Sequence, residues 1–146
     1  LSDAMTINEE ERRLPELASN HYMLASVYSR QGRYDAAFDE AERALAIDKQ
    51  IENSVGIAAD LKALGLISAH RGDAERARDY LRRALQVAAT VGLVPEAKSI
   101  LENLATVADE LGLPGEADDY REQRRLLDDQ AGGAESAPAS PAGGAE

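Results

Sequence analysis

Three glycines, Gly32, Gly72 and Gly112, stand 40 residues apart, and each follows a stretch whose apolar residues recur at helical spacing. Glycine adopts the left-handed backbone that closes a helix without a Cβ penalty, so each marks a turn between two helices. Other positions keep the same step: Leu24, Leu64 and Leu104; Ala25, Gly65 and Ala105; Ala37, Ala77 and Ala117. A fixed period of this length is the signature of stacked helical units, none of which can bury its apolar face alone. The small residues let the two helices of a unit approach closely, and the leucines are expected to fill the seam between them.

Composition agrees with helices. Hydrophobic residues make up 44% of the 146, but aromatics only 4%, with one Phe and no Trp, so the apolar content is mainly Ala and Leu. These are strong helix formers and poor sheet formers, which predicts an all-α chain with room for one core.

Taken in order, residues 1–13 form a polar segment in which Asn8 could cap a short helix. Pro15 is best tolerated in a first turn, so the first long helix is expected from there to about Gln31, with Leu17, Met23, Leu24, Val27 and Tyr28 on its apolar side. Further helices are expected over 34–48, from Asn53 or Ser54 to Arg71, and over 74–91, 95–111 and 115–129. The folded unit thus covers residues 14–129 as three helical hairpins, at about 15–53, 54–93 and 94–129. Residues 130–146, rich in Ala, Gly, Pro and Ser, read as a disordered low-complexity tail.

Chemistry-bearing motifs are scarce. The absence of cysteine removes disulfides, thiolate metal sites and a thiol nucleophile. His21 and His70 fall at different places in the repeat, and neither has a His at i+3 or i+4, so no metal site is expected. Adjacent acids such as Asp118 and Asp119, or Asp128 and Asp129, splay around a helix as solvated charge. No phosphate-cradling glycine loop and no Ser, His and acid grouping occur, so neither a catalytic residue nor a cofactor is expected. A net charge of -11 argues against nucleic acid and anionic lipid as partners. The densest basic group, Arg76, Arg78, Arg82 and Arg83, is interspersed with Glu75 and Asp79 and reads as a salt-bridged face. No apolar run reaches the length of a membrane span. The compartment is left open, with the cytoplasm as the default, and a start at Leu is expected of a piece of a longer protein.

The middle repeat carries Leu61, Leu64, Gly65, Ala77 and Leu81, the first Leu24, Ala25, Tyr28 and Ala37, and the third Leu101, Leu104, Ala105 and Ala117. This pattern of large, Leu and small residues on a first helix and Ala on a second resembles the tetratricopeptide repeat (TPR). Its period of 40 rather than 34 is similar to the long-repeat arrays of kinesin light chains and many bacterial regulators. The resemblance implies an α-α superhelix of three hairpins. Arg121, Arg124 and Arg125, standing where the middle repeat has Leu81, Ala84 and Leu85, imply a polar terminal cap.

It also implies a concave groove lined by the first helix of each hairpin. The family's groove positions fall on Tyr22, Ser26, Ser29 and Arg30, on Lys62, Leu66, Ala69 and His70, and on Glu102, Asn103, Thr106 and Asp109. A carboxylate clamp of repeated Lys and Asn is departed from, because Leu66 and Ser26 stand where the asparagines belong. The expected function is a non-enzymatic interaction scaffold that binds a protein or peptide segment in this groove. Self-assembly through the N-terminal end, service as the regulatory arm of a larger protein, and small-molecule sensing through His70 are the alternatives.

Overall fold

The computed structural model describes the backbone of residues 2–136 and the side-chain surroundings of residues 12–130. The described residues form six helices and no strand: α1 Ser2–Arg30, α2 Tyr34–Gln50, α3 Ser54–His70, α4 Ala74–Thr90, α5 Val94–Glu110 and α6 Pro114–Ser136. Consecutive helices pair into three hairpins, and each hairpin packs on the next through α2 against α3 and α4 against α5. The first helices, α1, α3 and α5, also touch in order along one side, so the chain is a helical solenoid.

The repeating step is shorter than the glycines at 32, 72 and 112 suggest. Helices α2 to α5 each have 17 residues, and every turn has three, giving a step of 20. The middle residue of each turn is left-handed: Gly32, Glu52, Gly72, Gly92 and Gly112 have φ of 77°, 56°, 82°, 75° and 73°. The following residue then donates its N–H to a carbonyl five positions back, as from Arg33 to Tyr28, Asn53 to Asp48 and Asp73 to Ser68 (each 2.9 Å), and from Leu93 to Ala88 and Leu113 to Ala108 (each 2.8 Å). This is the Schellman closure, which satisfies carbonyls a helix end would otherwise leave orphaned. The same residue opens the next helix. Asn53 and Asp73 strengthen it by accepting from the N–H groups of Gly56 and Arg76 at 3.2 and 3.1 Å.

The core follows the repeat positions. Leu64, Leu81, Ile100, Leu101 and Leu104 are its largest fully buried apolar side chains, and Ala25, Ala37, Ala77, Ala105 and Ala117 are buried at the small positions. Gly65 shows why small residues stand there: a Cβ on it would lie 2.7 Å from Cγ of Leu81 on the partner helix. Arg78 on α4 clasps Glu116 on α6 with two hydrogen bonds, the one from Nε at 2.6 Å, and Tyr120 adds an O–H bond to Glu116 at 3.0 Å. These contacts tie the second and third hairpins together. The hydrogen bonds from Arg78, with those from Tyr120, hold the Glu116 carboxyl down at about 2 against the opposing effect of burial.

Three expectations are corrected. Helix α1 runs through Pro15 instead of starting there. Pro15 itself is exposed, so its ring lies on the solvent side of the helix. Residues 130–136, expected in the tail, continue α6, while the rest of that expectation, 137–146, lies outside the described residues. Leu24 does not fill a seam as Leu64 and Leu104 do: it is 40% exposed, and Leu17, Met23 and Val27 are exposed with it, on a face of α1 that no described element covers. Tyr28 does pack against the core.

Two substitutions test this account by thermal melting. Glu52→Gly, which relieves the one non-glycine left-handed turn residue, is expected to stabilise by about 0.5 to 1 kcal/mol, a left-handed cost of roughly 1 to 2 offset by lost glycine entropy. Gly65→Leu is expected to destabilise by about 1 to 3 kcal/mol through overpacking against Leu81.

Candidate functional site

The α1–α3 side of the solenoid forms a groove because these first helices lie next to one another. Between them is a cavity of about 430 Å³ with a floor of Ala25, Ala63, Leu66 and Ile67 and a rim of Tyr22, Ser26, Ser29, Arg30 and Lys62. Four-residue spacing on each helix, 22, 26 and 30 on α1 and 62 and 66 on α3, aims these side chains at the same space. Of the candidates read from the repeat register, the structure therefore brings together Tyr22, Ser26, Arg30, Lys62 and Leu66.

The rim is cationic in a strongly acidic chain. Arg30 donates from Nε to the Ser26 carbonyl at 3.4 Å, a weak bond that leaves the guanidinium exposed. Lys62 is more constrained: its Nζ donates to Ser99 Oγ on α5 at 2.7 Å and is half-buried. The lysine thus joins the second and third hairpins as well as edging the cavity, a role the sequence did not reveal because Ser99 is 37 residues away.

Other candidates lie elsewhere. The imidazole of His70 stacks on Tyr34, with centroids 5.2 Å apart and planes 2° from parallel, outside the cavity. Asp73, the acid close to it in sequence, caps α4 and pairs with Arg76. Asn103 is half-buried, and Thr106 is exposed with its hydroxyl donating to the Glu102 carbonyl at 3.2 Å. Glu102 and Thr106 belong to a separate hollow of about 440 Å³ against α6, shared with Arg121, Arg124, Arg125 and Asp128. That end is laced with ion pairs, Arg121 to Asp109, Arg125 to Glu122 and Asp129, and Lys98 to Asp128. In the basic group on α4, Arg78 is held by Glu116, Arg76 by Asp73 at 3.6 Å, and Arg83 lies over the Tyr80 ring.

Two features escaped sequence reasoning. A recess of about 650 Å³, mainly apolar, opens where α4, the start of α5 and α6 meet, lined in part by Leu85, Ala89, Val94, Leu101 and Leu126. Ala88 and Ala97 leave this space where the first two hairpins have the larger Asp48 and Ile57 at the same repeat positions. The other feature is a pair of buried acids, Asp48 on α2 and Asp60 on α3, 4% and 1% exposed. Room for Asp48 comes from Gly56, whose Cβ would lie 2.5 Å from the Asp48 carboxyl carbon, and Asn53 donates to Asp48 at 3.2 Å. Burial, then hydrogen bonding to Asp48 and its charge, push the Asp60 carboxyl up to about 9. Oδ2 of Asp60 is buried without a hydrogen-bond partner, which favours the neutral carboxyl. No cluster of three or more His, Asp or Glu suited to a metal occurs among the described residues. No helix described is long and apolar enough to cross a membrane.

Fold and groove together define a helical-repeat solenoid of the kind that presents a concave face. A tetratricopeptide repeat family model matches residues 18–51, spanning the later part of α1 and α2. Among solved structures, the TPR domain of Arabidopsis FLU is similar at a TM-score of 0.72 and 14% identity, over 80% of this chain and 98% of that one. BtubC (BKLC) from P. vanneervenii is similar at a TM-score of 0.71 and 20% identity, over 93% of this chain and 58% of that one. At these identities the likeness is one of fold. No curated protein sequence matches the chain.

The carboxyl pair sets a pH dependence whose sign can be worked out. Folding raises Asp60 from its ordinary 3.8 to about 9, so the folded state holds the proton more tightly. The stabilisation is complete below 3.8 and is lost as pH climbs to about 9. Asp60→Asn, which keeps a donor toward Asp48 but does not titrate, is expected to flatten the fall in melting temperature between these limits. An unchanged slope would remove Asp60 as its source.

Proposed function

We propose that this chain is a non-enzymatic interaction scaffold of the long-repeat tetratricopeptide type, docking a peptide or protein segment in the groove between α1 and α3. The observation that carries this reading is the convergence of Tyr22, Ser26, Arg30, Lys62 and Leu66 on one cavity with an apolar floor. A floor of Ala25, Ala63, Leu66 and Ile67 suits one or two apolar side chains, while the hydroxyls fix backbone or polar groups. Arg30 and Lys62 add charge selection: a segment with a carboxylate beside its apolar anchor gains an ion pair, while a basic segment meets repulsion. The tetratricopeptide match at residues 18–51 supports the scaffold reading, since it includes the α1 half of this groove.

Selection of a random peptide library on the wild-type chain is expected to enrich peptides pairing an acidic residue with an apolar one. Lys62→Glu and Tyr22→Ala are expected to weaken the selected peptides on the order of tenfold each, with helical circular dichroism retained. Because Lys62 also bonds Ser99, Ser99→Ala serves as the control and should leave peptide affinity nearly unchanged. Peptides that bind all three variants as they bind the wild type would exclude this groove.

A further inference from the structure

The two junctions between hairpins bring equivalent helix ends together but give them opposite chemistry. At the 40-residue step, Asp48, Lys49, Asn53 and Ser54 of the first junction become Ala88, Ala89, Leu93 and Val94 of the second, and Glu42 becomes Arg82. What is polar with an acidic edge in one is apolar with a basic edge in the other. With Ile57 also reduced to Ala97, the second junction holds the recess of about 650 Å³ described above. Helices α4 and α6 wall it and the start of α5 forms its floor, so its walls do not depend on what precedes α1 or follows α6.

We propose that this recess binds a small amphiphile, an apolar body with one anionic head, of the class of a medium-chain carboxylate. Its volume lies within the roughly 300 to 1,000 Å³ of small-molecule sites. Val94 and Leu126 stand 39% and 47% exposed at its sides, apolar surface that an acyl chain would take out of water. The head is assigned by charge, because Arg82 is the only charged residue lining the recess. On the same helix Arg76 and Arg78 are engaged by Asp73 and Glu116, whereas Arg82 is in no ion pair among the described residues. Glu116 feels the charge of Arg82, but Arg78 and Tyr120 occupy both its oxygens. Glu75 and Asp79 line the neighbouring hollow of α4, shared with Arg78 and Arg83. A carboxylate at the edge of the recess therefore gains a charge-assisted hydrogen bond from a guanidinium that no acid already holds. Gln86 and Gln123 line the same space with amides that can donate to its second oxygen.

The recess is separate from the α1–α3 groove, so its test stands apart from the function proposed above. Decanoate titrated into the isotope-labelled full chain is expected to shift the amide resonances of Ala89, Val94 and Leu126 and to leave those of Tyr22 and Lys62 in place. Decylammonium, with the same chain and the opposite head, is expected to bind on the order of tenfold more weakly. Ala97→Ile, which restores the residue of the first junction, is expected to fill the recess and abolish the decanoate shifts with helicity retained. Ala89→Leu, at an exposed position, should block the same space without disturbing the core. Arg82→Glu, also exposed, is expected to invert the preference, so that decylammonium binds better than decanoate. No shift with decanoate, the result if another segment of the protein already fills the recess, would overturn the proposal. So would shifts centred on the α1–α3 groove, equal affinity for the two amphiphiles, or binding that survives both Ala97→Ile and Ala89→Leu. Recess resonances that move with protein concentration alone would make a second copy the occupant and overturn it as well.

Discussion

The structure depends on a left-handed backbone residue at the centre of every three-residue turn. That single conformation turns the chain back, closes one helix by the five-back hydrogen bond and starts the next within the same residues. Because no turn is longer or shorter, each helix meets its neighbour in the same register, and small side chains at 25, 37, 65, 77, 105 and 117 fall at the close approaches. Regular packing is thus a consequence of regular turns, and the leucine seam follows from both.

The fold was legible because glycine advertises this conformation: Gly32, Gly72 and Gly112 stated the 40-residue step outright. The 20-residue half-step was hidden by Glu52, which adopts the glycine conformation without being glycine. Position in the array was harder to read than position in the repeat. Leu24 and Leu64 have the same identity and register, yet one is exposed and the other buried, because burial there depends on a neighbouring hairpin. The groove was legible as a set of registers, which placed Tyr22, Ser26, Arg30, Lys62 and Leu66 together. Its connections were not: the Lys62–Ser99 bond and the His70–Tyr34 stack join residues by tertiary geometry that repeat spacing does not encode.

The junctions between hairpins share a shape but differ in chemistry. Between the first and second, Asp48 and Asp60 are buried together, Asp48 in a site opened by Gly56; between the second and third, the same positions are Ala88 and Ile100. An apolar pair at such a site needs only contact, whereas a buried acid pair needs a defined distance and proton. Both junctions are also held at their edges, the first by Arg71 to Asp35, the second by Lys62 to Ser99 on one side and Arg78 to Glu116 on the other.

The uniform turns also determine how the molecule yields to force. A solenoid with one long loop bends there, as a door does at its hinge. Here no connection between described helices has a spare residue, so a bend at one turn must break the five-back bond that closes the preceding helix. Deformation is accordingly shared among all the helix interfaces in small slides, and the array behaves as a short coil spring. No hairpin can swing free of its neighbour without losing one of those bonds.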